Sequence, residues 1–279
     1  MKHPWKITSI IVGWLLIAVV FAMIIAPLAA TQLDPVSKMI SPWLWLVITI
    51  SIILLGAVSW YFLMKKAVPA TVEVIFAVGL GLVSSRGLMM FFPAAFGPTL
   101  NGGLMRLISM TAFAILFLLL FKSMQHSWRW TRRLTPISNL LMIWTTVVAA
   151  TLIAVNVPWY ATLSLLALAS IYDAWAVWKA KTMIEMANYF VKRRIIPGIA
   201  VPYADKEEFA LLGGGDVFFI VLVSVSFFTV SKQFTYAVAT GMILSVILLF
   251  LVSKKGKFYP ALPFILAGAL IGFCVGWLL

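Results

Sequence analysis

Two aspartates lie in apolar surroundings in this sequence: Asp173 in Ile171-Tyr172-Asp173, and Asp216 in Leu212-Gly213-Gly214-Gly215-Asp216. Two carboxylates side by side can hydrolyse an amide. Like charges in contact cannot both ionise, so such a pair shares a proton. The ionised member draws a proton from a water as that water attacks the scissile carbonyl, while the protonated member hydrogen-bonds the developing oxyanion. The roles then exchange to protonate the leaving amine. Neither aspartate can be named the initial base, because the pair titrates as a unit. Gly213, Gly214 and Gly215 suit this chemistry, since backbone without side chains lets a substrate strand approach closely.

Both positions break local rules. An ionised Asp inside a membrane helix costs roughly 2.5–3.5 kcal/mol, and each glycine weakens a helix by about 1 kcal/mol relative to alanine. Such places tend to be functional, although each feature alone has another explanation. Asp173 alone is equally compatible with a proton or cation relay, or with pairing to a snorkelling Lys179 or Lys181. A glycine cluster alone serves close helix packing, and Pro260 and Pro263 alone can simply start a helix.

Composition defines the class of protein that must position these residues. Of 279 residues, 63% are hydrophobic and 10% charged, with a mean hydropathy of +1.09, which indicates an all-α polytopic membrane protein. One cysteine, Cys274, excludes a disulfide framework and a Cys-based metal site, and His3 and His126 are far apart. The net charge of +13 fits membrane topology and anionic lipid headgroups, and no nucleic-acid-binding module is present.

Nine apolar runs of about 20 residues, the length that spans a bilayer, predict nine transmembrane helices in a single membrane domain over 1–279. They fall near 7–29, 43–63, 70–90, 104–122, 137–156, 158–178, 211–231, 234–252 and 259–279, with a loop over 179–210. The apolar core of the first is too long for a signal peptide. Asn156-Val157-Pro158 makes a tight hairpin between the fifth and sixth, with Pro158 opening the new helix. Seventeen of the 21 Lys and Arg fall on the side of the amino terminus and four (Lys38, Arg86, Arg106, Lys232) on the other. The positive-inside rule therefore predicts a cytoplasmic amino terminus and an outside carboxyl terminus, in the cell membrane. Glu73 and Arg86, near opposite ends of the third span, are expected at the interfaces, as are Trp5, Trp43, Trp159 and Trp277 near span ends.

At 1.5 Å per residue, Asp173 lies about 9 Å before Lys179, and Asp216 about 12 Å past Glu208. Both carboxylates are thus expected at a similar depth near the cytoplasmic face. The ninth span enters the same layer with Tyr259-Pro260-Ala261-Leu262-Pro263, whose prolines leave backbone groups free, a state tolerated only where protein or water satisfies them. This coincidence in depth favours a site over the separate explanations.

Tyr172-Asp173, Gly213-Gly214-Gly215-Asp216 and Pro260-Ala261-Leu262 resemble, in order, the YD, GxGD and PAL motifs of the presenilin and signal-peptide-peptidase family of intramembrane aspartyl proteases. They fall in the sixth, seventh and ninth predicted spans, as in that family, and the chain looks most like the compact archaeal presenilin homologues. The resemblance implies catalysis by Asp173 and Asp216. It also implies a substrate cleft shaped by Tyr172, Gly213, Gly214, Gly215, Pro260, Ala261 and Leu262, single-span transmembrane proteins as substrates, and no metal or organic cofactor. The sequence departs from the family at Gly214, where presenilins usually carry leucine, and in the 179–210 loop, which lacks the long insert that presenilins cut during maturation. Within that loop, 181–194 is amphipathic and expected at the membrane surface, and 195–203, with Pro197 and Pro202, reads as extended. This extended stretch is either a plain linker, or a mobile gate or an edge for substrate pairing. The rival function from another class is a proton-coupled transporter or channel in which both aspartates relay ions. An inactive relative that only binds membrane helices is a further alternative.

Overall fold

The computed structural model describes residues 5–31, 69–92, 100–180, 192–203, 209–228, 230–253 and 259–278, with isolated positions 41, 44, 47, 51, 185, 189 and 190. The expected span over 43–63, with Trp43, and most of the amphipathic stretch 181–194 lie outside the described residues. Eight α-helices and one β-hairpin follow in order: α1 (Trp5–Thr31), α2 (Pro69–Phe91), α3 (Leu100–His126), α4 (Trp128–Ala154), α5 (Trp159–Trp175), β1 (Gly198–Pro202), β2 (Phe209–Gly213), α6 (Gly214–Phe228), α7 (Lys232–Val252) and α8 (Leu262–Leu278). A π-helical turn, Ala176–Ala180, extends α5. Among the described residues six helices are long and apolar enough to cross a membrane, while α6 and α8 are apolar but shorter. The chain is thus a multi-pass integral membrane protein.

The expected spans differ from the helices where a polar or irregular end is involved. Helix α3 continues past the expected end at 122 to His126, and α4 begins nine residues before the expected 137. A helix outlasts its apolar run once its backbone bonds are made, and Ser127 caps the new start by accepting from the Trp130 amide. Thr131, in the first turns of α4, donates its hydroxyl back to the Met124 carbonyl of α3 at 2.7 Å. Between α4 and α5 the tight turn forms as expected, with Pro158 at the cap position rather than the first helical one.

The runs 211–231 and 259–279 require the larger correction. The first does not begin as helix: 209–213 form strand β2, and α6 starts only at Gly214. The second begins as irregular chain and becomes helical at Leu262. An antiparallel pairing of β1 and β2, from Gly198 opposite Gly213 to Pro202 opposite Phe209, adds a two-stranded sheet to an otherwise helical fold. The expected extended reading of 195–203 therefore resolves into a strand with a defined partner.

Helix α6 occupies the centre. Val217 and all residues from Phe219 to Phe227 are buried, as expected for a helix apolar all round. It packs against α1, α4, α5, α7 and α8. Helix α1 presents a stripe to this core, Ile7, Ile11, Leu15, Ala18, Ala22, Ile25 and Ala29, at helical spacing. Small residues bring α7 and α8 together: a Cβ at Gly268 would meet the Gly241 carbonyl, and one at Gly272 the Ala237 carbonyl. Buried hydroxyl pairs bridge other helices, Thr162 to Ser226 and Ser84 to Thr145, each at 2.7 Å. The Trp159 ring packs 5.3 Å from Phe227 and 5.4 Å from Phe273, joining α5 to α6 and α8. Trp5 and Trp277 are exposed, as anchors require.

Glu73 also departs from expectation, for it is buried. Its carboxylate pairs with Lys122 of α3 at 2.9 Å and Arg193 at 3.8 Å, and accepts from Gln125 Nε2 at 3.0 Å. Arg193 also covers the Tyr189 ring, and the next residue, Arg194, turns the chain toward β1 with a left-handed φ of 54°. Nearby, Phe190 and Ile195 pack with Phe117, Phe121 and Met142. This cluster ties the segment entering the hairpin to α2 and α3. Removing one side of a buried pair is costly only when the group left behind stays buried. Lys122 and Arg193 are far more exposed than Glu73, so the double change Lys122→Ala, Arg193→Ala should lower the thermal midpoint more than Glu73→Gln, measured side by side in one detergent. Equal losses would show that Glu73 tolerates isolation.

Candidate active site

Asp173 sits in the last turn of α5, buried, and Asp216 in the first turn of α6, half-buried. The helices that carry them, α5 and α6, pack against each other. Asp216 is therefore not lodged inside a glycine-weakened helix. Gly213 ends the strand and Gly214 and Gly215 open the helix, so the glycines mark a strand-to-helix junction, where their low helix propensity costs little.

Each carboxylate accepts a backbone amide freed by an irregular stretch of chain. Gly213 N–H donates to Asp216 Oδ2 at 3.2 Å. Leu262 N–H, at the start of α8, donates to Asp173 Oδ2 at 3.2 Å, and the Ala261 amide is directed at the same carboxylate. The first four amides of a helix have no partner within it, so a carboxylate is a natural acceptor there. Pro260, Ala261 and Leu262 are all buried. Lys179 is exposed and makes no ion pair with Asp173 among the described residues, and Lys181 lies outside them.

The hairpin is built close to these groups. Gly214 N–H donates to the Pro197 carbonyl at 2.8 Å, which fastens the first residue of α6 to the chain entering β1. One face of the hairpin, Ile199, Val201, Ala210 and Leu212, enters the main core around α6. The other, Ala200 with Phe209 and Leu211, meets Leu120, Met124 and Leu134. Trp128 packs edge-on against Phe209, with ring centres 5.0 Å apart.

Not every expected residue converges. Tyr172 is exposed and its ring meets Trp175, 6.0 Å away. Gly215 is exposed with open space where a side chain would stand, whereas a Cβ on Gly213 would press on the Asp216 carboxylate at 3.1 Å. Two residues near the hairpin escaped the sequence reading. Gly198 is one: a Cβ there would collide with the Leu212 carbonyl and lie 2.8 Å from Gly214 N. Asn139 of α4 is the other, a buried amide bonded to both backbone groups of Ala200. Its only sequence signal is a polar residue in the fifth apolar run.

No protein-family model matches this sequence, and no curated protein matches it. Solved structures do. The chain is similar to a presenilin family intramembrane aspartate protease in a P2 crystal form, with a TM-score of 0.63 and 21% identity, over 96% of each chain. It is similar to a presenilin family intramembrane aspartate protease in a C222 crystal form, with a TM-score of 0.62 and 20% identity, over 98% of each chain. The fold, along nearly its whole length, is that of presenilin-family intramembrane aspartate proteases.

The close approach at Gly198 gives a direct check on the hairpin. Gly198→Val should force β1 from β2, lowering thermal stability and raising amide exchange across 209–214. Gly215→Ala, which meets open space, should leave both unchanged or slightly improved. A Gly198→Val variant with parent-like protection would mean that the strands need not lie this close.

Proposed function

We propose that this protein is an intramembrane aspartyl protease that hydrolyses peptide bonds within transmembrane helices of single-span membrane proteins, using Asp173, Asp216 and one water. The observation that carries this reading is the placement of two carboxylates at the facing ends of the packed helices α5 and α6, Asp173 bonded by the Leu262 amide and Asp216 by the Gly213 amide. The likeness of fold to presenilin-family intramembrane aspartate proteases supports it.

In this reading one aspartate is protonated and the other ionised. The ionised carboxylate takes a proton from the water as its oxygen bonds to the scissile carbonyl carbon. The protonated one donates to the oxyanion, and the C–N bond then breaks as a proton passes to the amine. An amide in a transmembrane helix is shielded by its own hydrogen bonds, so the substrate must first unwind. Strand β2 offers a place for the unwound segment: its partner β1 lies on one side, and Gly213, at its end, touches Asp216. The Pro260-Ala261-Leu262 backbone positions Asp173 and borders the cleft, and its proline loses little freedom in doing so. The protein resides in the cell membrane, amino terminus cytoplasmic and carboxyl terminus outside, with the cleft nearer the cytoplasmic face.

The decisive experiment incubates purified protein with a single-span substrate in micelles and identifies products by mass spectrometry. Asp173→Asn and Asp216→Asn should each abolish cleavage while the protein stays folded, and near-parent proteolysis by either variant would sink the dyad. Because the pair must hold one proton, the rate should fall at both pH extremes, and a profile flat from about pH 4 to 9 would contradict a shared proton. If both variants keep full stability, cleavage is absent and proton flux across vesicles is present in the parent, the relay reading prevails.

Leu262 separates backbone from side-chain contributions. Leu262→Pro deletes the amide that donates to Asp173, at a helix start where proline is tolerated, whereas Leu262→Ala keeps it. The proline variant should lose at least ten times more activity than the alanine variant at comparable thermal stability, and equal activities would assign Leu262 a packing role alone.

A further inference from the structure

The buried amide of Asn139 carries an inference that rests on the protease reading and extends it. Asn139 lies on α4, 1% exposed, 61 residues before Ala200. Its Nδ2 donates to the Ala200 carbonyl at 2.8 Å, and its Oδ1 accepts from the Ala200 amide at 3.0 Å. The pairing fixes the orientation of the side-chain amide, because only this one matches both donor and acceptor. Successive strand residues direct their backbone groups to alternate sides, and those of Ala200 point away from β2. Asn139 thus makes the pair of bonds that a third strand would make at this residue.

The consequences run in one direction along the sheet. Ala200 stands opposite Leu211, and two residues away Gly198 stands opposite Gly213, whose amide donates to Asp216. The residue before Gly198, Pro197, holds the Gly214 amide at the start of α6. We infer that Asn139 is a positioning residue for catalysis: by clamping β1 to α4 it sets the place of β2 and, through Gly213, the orientation of the Asp216 carboxylate. Apolar contacts hold both faces of the hairpin in the core and favour one register, but they have no direction at a single residue, and the two-point hydrogen bond at Ala200 supplies one. The side chain of Asn156, just past the end of the same helix, donates to the Leu152 carbonyl one turn back, a local bond among the described residues, and so serves as a control.

The test compares Asn139→Leu, Asn139→Asp and Asn156→Leu with the parent in one detergent, recording thermal midpoint, kcat, KM, cleavage positions and amide exchange over 195–203 and 209–216. Asn139→Leu is expected to lower kcat at least tenfold with KM within threefold, to change the proportions of cleavage positions, and to raise exchange in both segments at temperatures where it remains folded. Asn139→Asp keeps an acceptor for the Ala200 amide and loses the donor, and should fall between Leu and parent. Asn156→Leu should leave kcat and cleavage positions at parent values. A stable Asn139→Leu with parent kcat and cleavage positions overturns the inference, as does a loss of activity explained by its unfolded fraction. Should the parent cleave nothing, the protease reading fails by itself. The exchange measurement then decides the clamp: parent-like protection of both segments in Asn139→Leu refutes it.

Discussion

A backbone amide released where a membrane helix begins has no water to turn to, and in this protein a carboxylate receives it. Gly213 N–H at the strand-to-helix junction meets Asp216, and Leu262 N–H at the start of α8 meets Asp173. Leaving either amide unbonded in apolar surroundings costs on the order of 1–3 kcal/mol, and leaving an ionised carboxylate without donors costs more. Each defect satisfies the other. This explains why the irregular stretches and the acids occur together, and why glycine and proline, poor helix formers, are found beside them.

The rest of the fold keeps those stretches from moving. Helix α6 is enclosed by five others, and its first residue is fastened by the bond from the Gly214 amide to the Pro197 carbonyl. The hairpin that precedes it is buried on both faces, and its entry is tied by the Glu73 cluster to α2 and α3. Close helix contact at Gly241, Gly268 and Gly272 sets α8 against α7, and hence the height at which Leu262 reaches Asp173. Dispersion at such contacts falls steeply with distance, so these glycines contribute to the geometry of a site they do not touch.

Shortened helices are also informative. At 1.5 Å per residue, the 15 residues of α6 and 17 of α8 reach about 22 and 26 Å, less than a bilayer core of about 30 Å. The missing length is where the chain is strand or irregular. A helix beginning within the membrane leaves its first amides without partners of its own, and those of Gly213 and Leu262 turn to the two carboxylates.

The sequence by itself determined the membrane class and most helices, and it singled out Asp173, Asp216 and Pro260-Ala261-Leu262 as candidates. These rest on local quantities: apolar run length, the cost of an acid or glycine in such a run, and the distance of each from a charged edge. Tertiary structure decided that 209–213 is a strand, that Glu73 is buried, that Trp159 packs inward and that Asn139 holds Ala200. An apolar run reads alike whether it is helix or a strand buried on both faces, because burial, and not periodicity, governs its composition. Polar partners such as Gln125 with Glu73 and Leu262 with Asp173 lie 52 and 89 residues apart in the chain. Such pairings depend on which helices become neighbours, and that is settled by packing among all of them at once.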